Sequence, residues 1–135
     1  VAHDEIVTHK ADVLAPCALG ATINAQSLPL LQATIIAGGA NNQLDTPEDG
    51  QRLADAGILY APDYVINAGG IINVAHEYYG DSSEERVRAD VVRIAERPDA
   101  IFAEARITGQ PTNVIADELA RRIVAGHGQE ERRSA

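Results

Sequence analysis

Two loops in this sequence combine paired glycines with asparagine, and such loops can bind a small ligand. Their glycines and asparagines are Gly38, Gly39, Asn41 and Asn42 in "AGGANN", and Asn67, Gly69 and Gly70 in "NAGG". Glycine has no Cβ, so a ligand can approach its backbone closely. An asparagine amide both donates and accepts hydrogen bonds without adding charge. The two loops therefore suit a carboxamide or a carboxylate, although their spacing does not name the ligand.

The same loops could also be ordinary turns. Glycine is common where a strand turns into a helix, and asparagine tolerates left-handed backbone. One loop alone fits turn formation and ligand binding equally. Two loops at the ends of neighbouring strands favour ligand binding, because open parallel sheets bind ligands at the carboxyl ends of their strands. The helix expected after Gly70 would add free N–H groups and the positive end of its dipole.

Other reactive side chains are few. Cys17 is the only cysteine, which excludes an internal disulfide and a multi-cysteine metal site and fits a reducing cytoplasm. The four histidines lack metal-ligand spacing, and His76 is expected to be a solvated helix residue. Asp12 and Asp63 lie near the ends of predicted strands, where a turn or capping role is expected.

Apolar runs predict the parallel sheet that would position the two loops. In chain order they are "ADVLAP", "ATIIAGGA" and "GILYAP". The next segment, "YVINAGG", either continues the third run or forms a separate short strand. Near-continuous apolar runs are typical of parallel strands that are covered on both faces.

Helices are predicted between these strands. "SLPLLQ" is a short one. "TPEDGQRLADAG" has Thr46 as N-cap, Pro47 at the first helical position and Gly57 just past its end. "GIINVAHEYYG" runs from the glycines to Gly80. Alternating strands and helices predict an α/β fold with a doubly wound layout.

After Gly80 the pattern is helical. "DSSEERVRADVVRIAERPDAIFAEARITG" predicts a helix capped by Ser82 or Ser83 and kinked or broken at Pro98. "QPTNVIADELARRIVAG" predicts a further helix that ends at Gly126. The chain thus divides into an α/β part (residues 1–80), a helical segment (81–126) and a polar tail (127–135).

Length and composition are ordinary for one globular domain. The 135 residues are 45% hydrophobic and 23% charged, which is enough to build a core. The net charge of −9 would repel a phosphate backbone, so nucleic-acid binding is not expected. No apolar run has membrane-spanning length, so no membrane association is expected. The chain has no methionine and begins at Val1, close to a predicted strand, so we expect an N-terminal portion to precede it.

Three long motifs carry a resemblance to a known family. "ADVLAPCALGATIN", "IIAGGANNQL" and "GILYAPDYVINAGGIINVAHE", in this order and separation, resemble the amino acid dehydrogenases of the glutamate, leucine, phenylalanine and valine group. The branched-chain members, such as leucine dehydrogenase, are the most similar. The resemblance is dense from Asp12 to Gly80 and weaker from Asp81 to Gly126, although "VIADELARRI" resembles the closing helix of the family. The segment around Pro98 departs from the family's long helix.

The resemblance implies a fold and an activity. Family members have an N-terminal domain with catalytic lysines and a Rossmann-type domain for NAD, so this chain would be the second half of the NAD-binding domain plus the C-terminal helices. The implied reaction is reversible NAD-dependent oxidative deamination of a branched-chain L-amino acid to the 2-oxo acid and ammonia. The implied enzyme is a cytoplasmic oligomer that includes the missing N-terminal catalytic domain. No G-x-G-x-x-G occurs and Lys10 lies outside the family's lysine motifs, so no catalytic residue is assigned and the chain alone is expected to be inactive.

The resemblance also implies cofactor contacts. Four residues match a loop along the ribose side of the cofactor: Cys17, Ala18, Leu19 and Gly20. Asn41 matches the asparagine near the nicotinamide ribose and the substrate carboxylate. Asn67 matches the asparagine that contacts the nicotinamide carboxamide, and Gly69 and Gly70 would leave room for that ring. The alternative for Cys17 is a small buried thiol, which is the commoner fate of a lone cysteine.

Ile71 and Val74 match positions that line the substrate side-chain pocket. They stand three residues apart and so share a helix face. Two branched apolar residues favour an aliphatic substrate, because a buried γ-carboxylate would need a polar partner. On the pattern alone, ordinary core contacts are the favoured interpretation of both residues. An apolar pocket discriminates only weakly between substrates that differ by one methylene, so the choice among leucine, isoleucine and valine stays open.

Two other classes of protein stay open as well. A self-standing module could bind a nucleotide or a partner chain through the same loops without catalysis. A pseudo-enzyme segment could serve oligomer assembly. The choice between NAD and NADP is also open, because the residue that would contact the ribose 2′ position does not occur in this sequence.

Overall fold

Three parallel strands form the sheet of this protein. The computed structural model describes residues 3–80 and 83–133. Its strands are β1 (Ala11–Leu14), β2 (Ala33–Ile36) and β3 (Leu59–Tyr60), in the order β1-β2-β3. Val13 pairs with Ile35, and Ile36 pairs with Tyr60. The three predicted strands and the α/β class are confirmed, except that Asp12 lies inside β1 rather than in a turn.

Helices connect and follow the strands. The α-helices are α1 (Glu48–Asp55), α2 (Asp63–Ile66), α3 (Gly69–Tyr78), α4 (Glu84–Val92), α5 (Glu96–Thr108) and α6 (Thr112–Arg133). Segments of 3-10 helix cover His3–Thr8, Leu28–Leu30 and Arg93–Ala95. The predicted short helix in "SLPLLQ" is therefore confirmed as a 3-10 turn. The predicted α1 and α3 are also confirmed, and Gly57 and Gly80 follow them with φ of 70° and 71°, a conformation that suits glycine.

The start of α1 differs in detail from the predicted cap. The N–H and the Oγ1 of Thr46 both donate to Asp49 Oδ2 at 2.9 Å, so the threonine hydroxyl donates instead of accepting a helix N–H. An ionised carboxylate can only accept, which fixes this direction. Pro47 already has helical backbone, with φ −56° and ψ −31°, one residue before the helix begins at Glu48.

The segment "YVINAGG" is not a strand, and that prediction is wrong. Asp63–Ile66 forms the helical turn α2, in which Val65 N–H donates to Pro62 C=O at 2.9 Å. The apolar side of this turn faces the C-terminal helices, because Val65 packs against the cluster of Ile101 and Ile115. Tertiary packing here overrides the strand preference of a β-branched run.

The helical segment after residue 83 is interrupted shortly before Pro98, as the sequence predicted. Ser83 caps α4 by accepting from Arg86 N–H, whereas Ser82 lies outside the described residues. The 3-10 turn separates α4 from α5, and Pro98 lies in the first turn of α5, where a missing N–H costs nothing. The predicted end of α6 at Gly126 is wrong, because the helix continues to Arg133. A helical glycine costs only about 1 kcal/mol, and the glutamine, glutamate and arginine residues that follow favour helix.

Two apolar clusters hold these elements together. Ile23, Ile36, Leu53 and Tyr60 form the cluster under the sheet. The second cluster joins α5 to α6 through Ile101, Ile115 and Ala116. Thr112 Oγ1 donates to Tyr60 C=O at 2.7 Å, which ties the start of α6 to β3. The division of the chain at residue 80 stays a prediction.

Strand β1 forms an edge of the described sheet. It pairs with β2 on one side, and Val13 on it is 47% exposed. An edge of this kind presents unpaired N–H and C=O groups together with apolar surface. Within residues 3–80 and 83–133, no helix is long and apolar enough to cross a membrane.

Candidate ligand-binding site

Three loops meet at the carboxyl ends of the strands. They span residues 15–21 after β1, 37–42 after β2 and 61–68 after β3. Because parallel strands end at the same edge of a sheet, residues from all three loops come within hydrogen-bonding distance there. The two predicted glycine–asparagine loops are the second and third of the set.

Asn67 connects the two glycine–asparagine loops directly. Its Nδ2 donates to Gly39 C=O at 2.7 Å and to Asn41 Oδ1 at 3.0 Å. Asn41 and Asn67 are both exposed. Within the described chain, no hydrogen bond engages Asn67 Oδ1 or Asn41 Nδ2, so one acceptor and one donor face solvent side by side. That pair matches the donor and acceptor of a carboxamide.

The first loop packs closely against the second. Ala40 N–H donates to Pro16 C=O at 2.9 Å, and Gly39 N–H donates to Cys17 Sγ at 3.4 Å. A Cβ on Gly20 would lie 2.9 Å from the backbone oxygens of Asn41 and Asn42, so glycine is required there.

The outward side of the first loop carries the other residues matched to the cofactor. Cys17, Ala18 and Leu19 are all exposed, and Leu19 is 77% exposed. The alternative of a small buried thiol at Cys17 is therefore wrong, because the sulfur lies at the surface of the loop. Of the four predicted residues, Gly20 lies against the backbone of Asn41, and Cys17 accepts from the neighbouring Gly39 N–H.

Gly69 and Gly70 begin helix α3 with open space around them. A Cβ on either glycine would meet no described atom within 4 Å outside its own neighbourhood. Protein packing therefore does not explain why glycine occurs here, in contrast to Gly20. No described side chain caps the start of α3, so its first N–H groups remain available for an acceptor. The space and the free donors lie next to Asn67.

Ile71 and Val74 extend the site along α3. They are 67% and 55% exposed, so they are not core contacts within the described part of the chain. Ile71 also borders a cavity of about 400 Å³ between α3 and the helices that follow. The walls of this cavity include the apolar Val65 and Ile72 and the cationic Arg93. An uncovered aliphatic surface thus lies on α3, the helix that begins shortly after Asn67.

His76, on the same helix, is not the solvated residue that was expected. Its Nε2 lies 2.9 Å from Asp90 Oδ2, and its side chain is 18% exposed. The packing of α4 against α3 covers the imidazole and brings the carboxylate to it. His76 therefore joins two helices and lies outside the loop cluster.

Sequence reasoning missed two residues that hold the loops from behind. Gln43 is fully buried, and its Nε2 donates to the C=O of Gly38 at 2.6 Å and of Ala40 at 3.0 Å. Asp63 is buried and accepts from Asn42 N–H at 2.9 Å, so it bonds across loops instead of capping a turn. A buried glutamine after "GGANN" and an aspartate after "AP" are the available sequence signals, but neither indicates its partner.

Two tyrosines flank this segment. Burial raises the pKa of the Tyr60 phenol well above its ordinary value, and the hydrogen bond to Asp63 adds to the rise. Tyr64 is 54% exposed, and the partial burial of its ring, together with the hydrogen bond to Asp117 Oδ1 at 2.9 Å, raises the pKa of its phenol. Both phenols therefore stay protonated and act as hydrogen-bond donors.

Comparison with known proteins shows which family this chain belongs to. A sequence model described as Glutamate/Leucine/Phenylalanine/Valine dehydrogenase matches residues 1–117. The leucine dehydrogenase of Geobacillus stearothermophilus is 47% identical over 117 residues, which make up 87% of this chain and 32% of that protein. This chain thus spans about a third of the length of that relative.

Solved structures agree with the sequence comparison. The crystal structure of L-tryptophan dehydrogenase from Nostoc punctiforme matches with a TM-score of 0.86 and 47% identity, over 91% of this chain and 37% of that one. The leucine-bound hetero-hexameric glutamate dehydrogenase from Thermus thermophilus matches with a TM-score of 0.70 and 27% identity, over 86% and 29% of the two chains. By its match over residues 1–117 and by these relatives, the chain belongs to the glutamate/leucine/phenylalanine/valine dehydrogenase family.

Proposed function

We propose that this chain is the nicotinamide-side part of an NAD-dependent amino acid dehydrogenase, which catalyses the reversible oxidative deamination of a branched-chain L-amino acid. The observation that carries the proposal is the bond from Asn67 Nδ2 to Asn41 Oδ1, at 3.0 Å, beside the glycine-led start of α3. This arrangement leaves a donor, an acceptor and open backbone at one point. The three parallel strands support assigning residues 1–80 to the second half of a Rossmann-type domain.

The residues fit the nicotinamide end of NAD. Asn67 Oδ1 would accept from the carboxamide, and the space beside Gly69 and Gly70 would admit the ring. Cys17 to Gly20 would line the ribose side. When bound, NAD would supply the ring that accepts the hydride. The role of this chain is to bind and orient that ring, and general acid–base catalysis would come from lysines of the N-terminal domain.

Substrate binding is assigned to three residues. Asn41 Nδ2 would donate to the carboxylate of the amino acid, while Ile71 and Val74 would contact its side chain. These two aliphatic residues are largely exposed, and an aliphatic substrate would cover their apolar surface. Relatives named for leucine and for tryptophan are each 47% identical to this chain, so the substrate proposal depends on Ile71 and Val74 and not on overall identity.

The whole enzyme is proposed to be a cytoplasmic oligomer with a separate catalytic domain. The hetero-hexameric structural relative supports an oligomer, and the free thiol of Cys17 is compatible with a reducing compartment. The isolated chain is expected to lack activity, because no catalytic residue is assigned within it.

A direct test compares the full-length protein with this chain alone. NADH formation would be measured with leucine, isoleucine, valine, phenylalanine, tryptophan and glutamate as substrates. For the full-length protein, the proposal predicts the highest kcat/KM with a branched-chain substrate. For the chain alone, it predicts no NADH formation with any of the six. A preference for an aromatic amino acid or glutamate would overturn the substrate assignment, and inactivity with all six would favour a binding module without catalysis.

A further inference from the structure

The backbone of Asn42 is held by both neighbouring loops. Its φ of 54° is left-handed, a conformation that asparagine adopts more readily than most residues with a Cβ. Its C=O accepts from Ala21 N–H at 2.7 Å, and its N–H donates to Asp63 Oδ2 at 2.9 Å. Two external hydrogen bonds therefore stabilise the conformation that determines where the adjacent Asn41 lies.

Asp63 provides one of these bonds from the protein interior. It is only 6% exposed, and its second oxygen, Oδ1, accepts from Tyr60 Oη at 2.6 Å. Tyr60 is itself 2% exposed. No ion pair joins Asp63 to a cation among the described residues, so hydrogen bonds alone compensate the buried carboxylate. A carboxylate is costly to bury unless hydrogen bonds satisfy it, and the bonds from Asn42 and Tyr60 do so here.

The same aspartate also positions Asn67. Asp63 is the first residue of α2, and its C=O accepts from Asn67 N–H at 2.8 Å at the end of that turn. Asn67 then donates from its side chain to Asn41. The Asp63 side chain therefore acts on Asn41 through Asn42. Its backbone C=O, which any residue here would supply, bonds Asn67 and closes a ring of contacts around the site.

We propose that Asp63, supported by Tyr60, is a positioning residue that holds Asn41 and Asn67 in the arrangement that binds the nicotinamide. This inference rests on the proposed function. It assigns Asp63 no contact with substrate or cofactor, since both of its oxygens are occupied by protein donors.

Two substitutions at Asp63 in the full-length protein separate positioning from charge. Asp63→Ala removes the two side-chain hydrogen bonds, to Asn42 and to Tyr60, and leaves the backbone bond to Asn67 in place. We expect the KM for NAD to rise by about tenfold or more, which is the scale of losing a charge-assisted hydrogen bond. Asp63→Asn can still accept from Asn42 N–H and can donate to the Tyr60 oxygen. We therefore expect Asp63→Asn to restore the KM to within about threefold of the wild-type value.

Asp49 provides the matched control. It is also a buried aspartate that accepts from backbone and side-chain donors, but its partners are Thr46 and Arg52, at the start of α1. Asp49→Ala should lower Tm as Asp63→Ala does, while the KM for NAD stays unchanged. Hydrogen exchange gives a second readout, because Asp63→Ala should expose the Asn42 amide while the Ala40 amide, bound to Pro16, stays protected.

The outcomes are distinguishable. A folded and active Asp63→Ala enzyme with the wild-type KM would overturn the role given to Asp63 and leave the proposed function intact. An equal rise in KM for Asp49→Ala would also overturn that role, since the effect would then follow from lost stability. A wild-type protein without NAD-dependent activity would contradict the proposed function, and the positioning role would be rejected with it.

Discussion

The amide nitrogen of Asn67 lies 3.0 Å from the Oδ1 atom of Asn41, although 26 positions separate the two residues in the chain. The contact joins the loop after β2 to the loop after β3. Each asparagine uses one half of its amide in this bond and presents the other half to solvent. The two loops therefore form one continuous surface, which is the surface proposed to bind the nicotinamide.

Replacing Asn67 should weaken cofactor binding strongly. Asn67→Ala removes the bonds to Gly39 and Asn41 together with the proposed carboxamide contact, so we expect the KM for NAD to rise by roughly ten- to a hundredfold. Asn67→Asp should raise the KM for NAD further, because its carboxylate would be repelled by the Gly39 carbonyl oxygen and the Asn41 Oδ1. Steady-state kinetics of the full-length protein measure both.

Asn73 is the matched control for that substitution. It lies on α3, is exposed, and its Nδ2 donates only to Glu77, at 2.8 Å, among the described residues. Asn73→Ala should leave the KM for NAD unchanged. A wild-type KM in Asn67→Ala would contradict the assignment of Asn67.

Gly70 tests whether the open space at the start of α3 belongs to the ligand. A Cβ there meets no described atom, so Gly70→Ala should leave stability unchanged or raise it by up to about 1 kcal/mol. We expect the same change to raise the KM for NAD, because the methyl group would occupy the space proposed for the ring. Thermal unfolding and kinetics together separate the two effects.

Gly57→Ala is a control with the opposite expected effects on stability and on the KM for NAD. Gly57 follows α1 with φ of 70°, so alanine there should cost about 1–2 kcal/mol of stability without affecting the KM. If Gly70→Ala stabilised the protein and left cofactor binding unchanged, the space beside it would have another explanation.

The contact between Gly50 and Asn113 fixes α6 against α1. A Cβ on Gly50 would overlap the Asn113 side chain, so Gly50→Ala should destabilise the fold by about 1–3 kcal/mol. Asn113→Ala removes the obstructing amide, and the double variant should lose less stability than the sum of the two single variants. Urea unfolding of the two single variants and the double variant measures these free energies. If the losses of stability were strictly additive, the contact between Gly50 and Asn113 would not be tight.

The Asp49 carboxylate should make stability depend on acid pH. Its burial opposes ionisation, but the hydrogen bonds from Thr46 and Arg52 outweigh burial and hold the pKa of Asp49 below its ordinary value of 3.8. A depressed pKa in the folded state stabilises the protein above the unfolded pKa, and the contribution is lost as pH falls through the folded one. The stability advantage of the wild type over Asp49→Asn should therefore shrink below about pH 4. An advantage that stays constant down to pH 2 would refute this assignment.

Local sequence signals predicted much of the fold and the outline of the site. Apolar runs marked the three strands, and Gly57 and Gly80 marked helix ends, because these features depend on neighbours in the chain. The pairing of glycine with asparagine in two loops predicted a shared site, since parallel strands end at one edge of the sheet.

What stayed unpredicted depends on partners distant in sequence. The turn at Asp63–Ile66 looked like a strand because its packing against α5 and α6 cannot be read from "YVI". The bond from Asn42 N–H to Asp63 spans 21 positions, and His76 meets Asp90 only because α4 folds back on α3. The requirement for glycine at position 50 could not be predicted either, because the side chain that excludes a Cβ there belongs to Asn113 on another helix.

The most direct test of the central claim is a crystal structure of the full-length protein with NAD bound. The account predicts that Asn67 Oδ1 lies within hydrogen-bonding distance of the nicotinamide carboxamide, about 2.7–3.2 Å, with the ring beside Gly69 and Gly70. A nicotinamide bound away from Asn67, with the asparagine bridge to Asn41 facing only solvent, would contradict it.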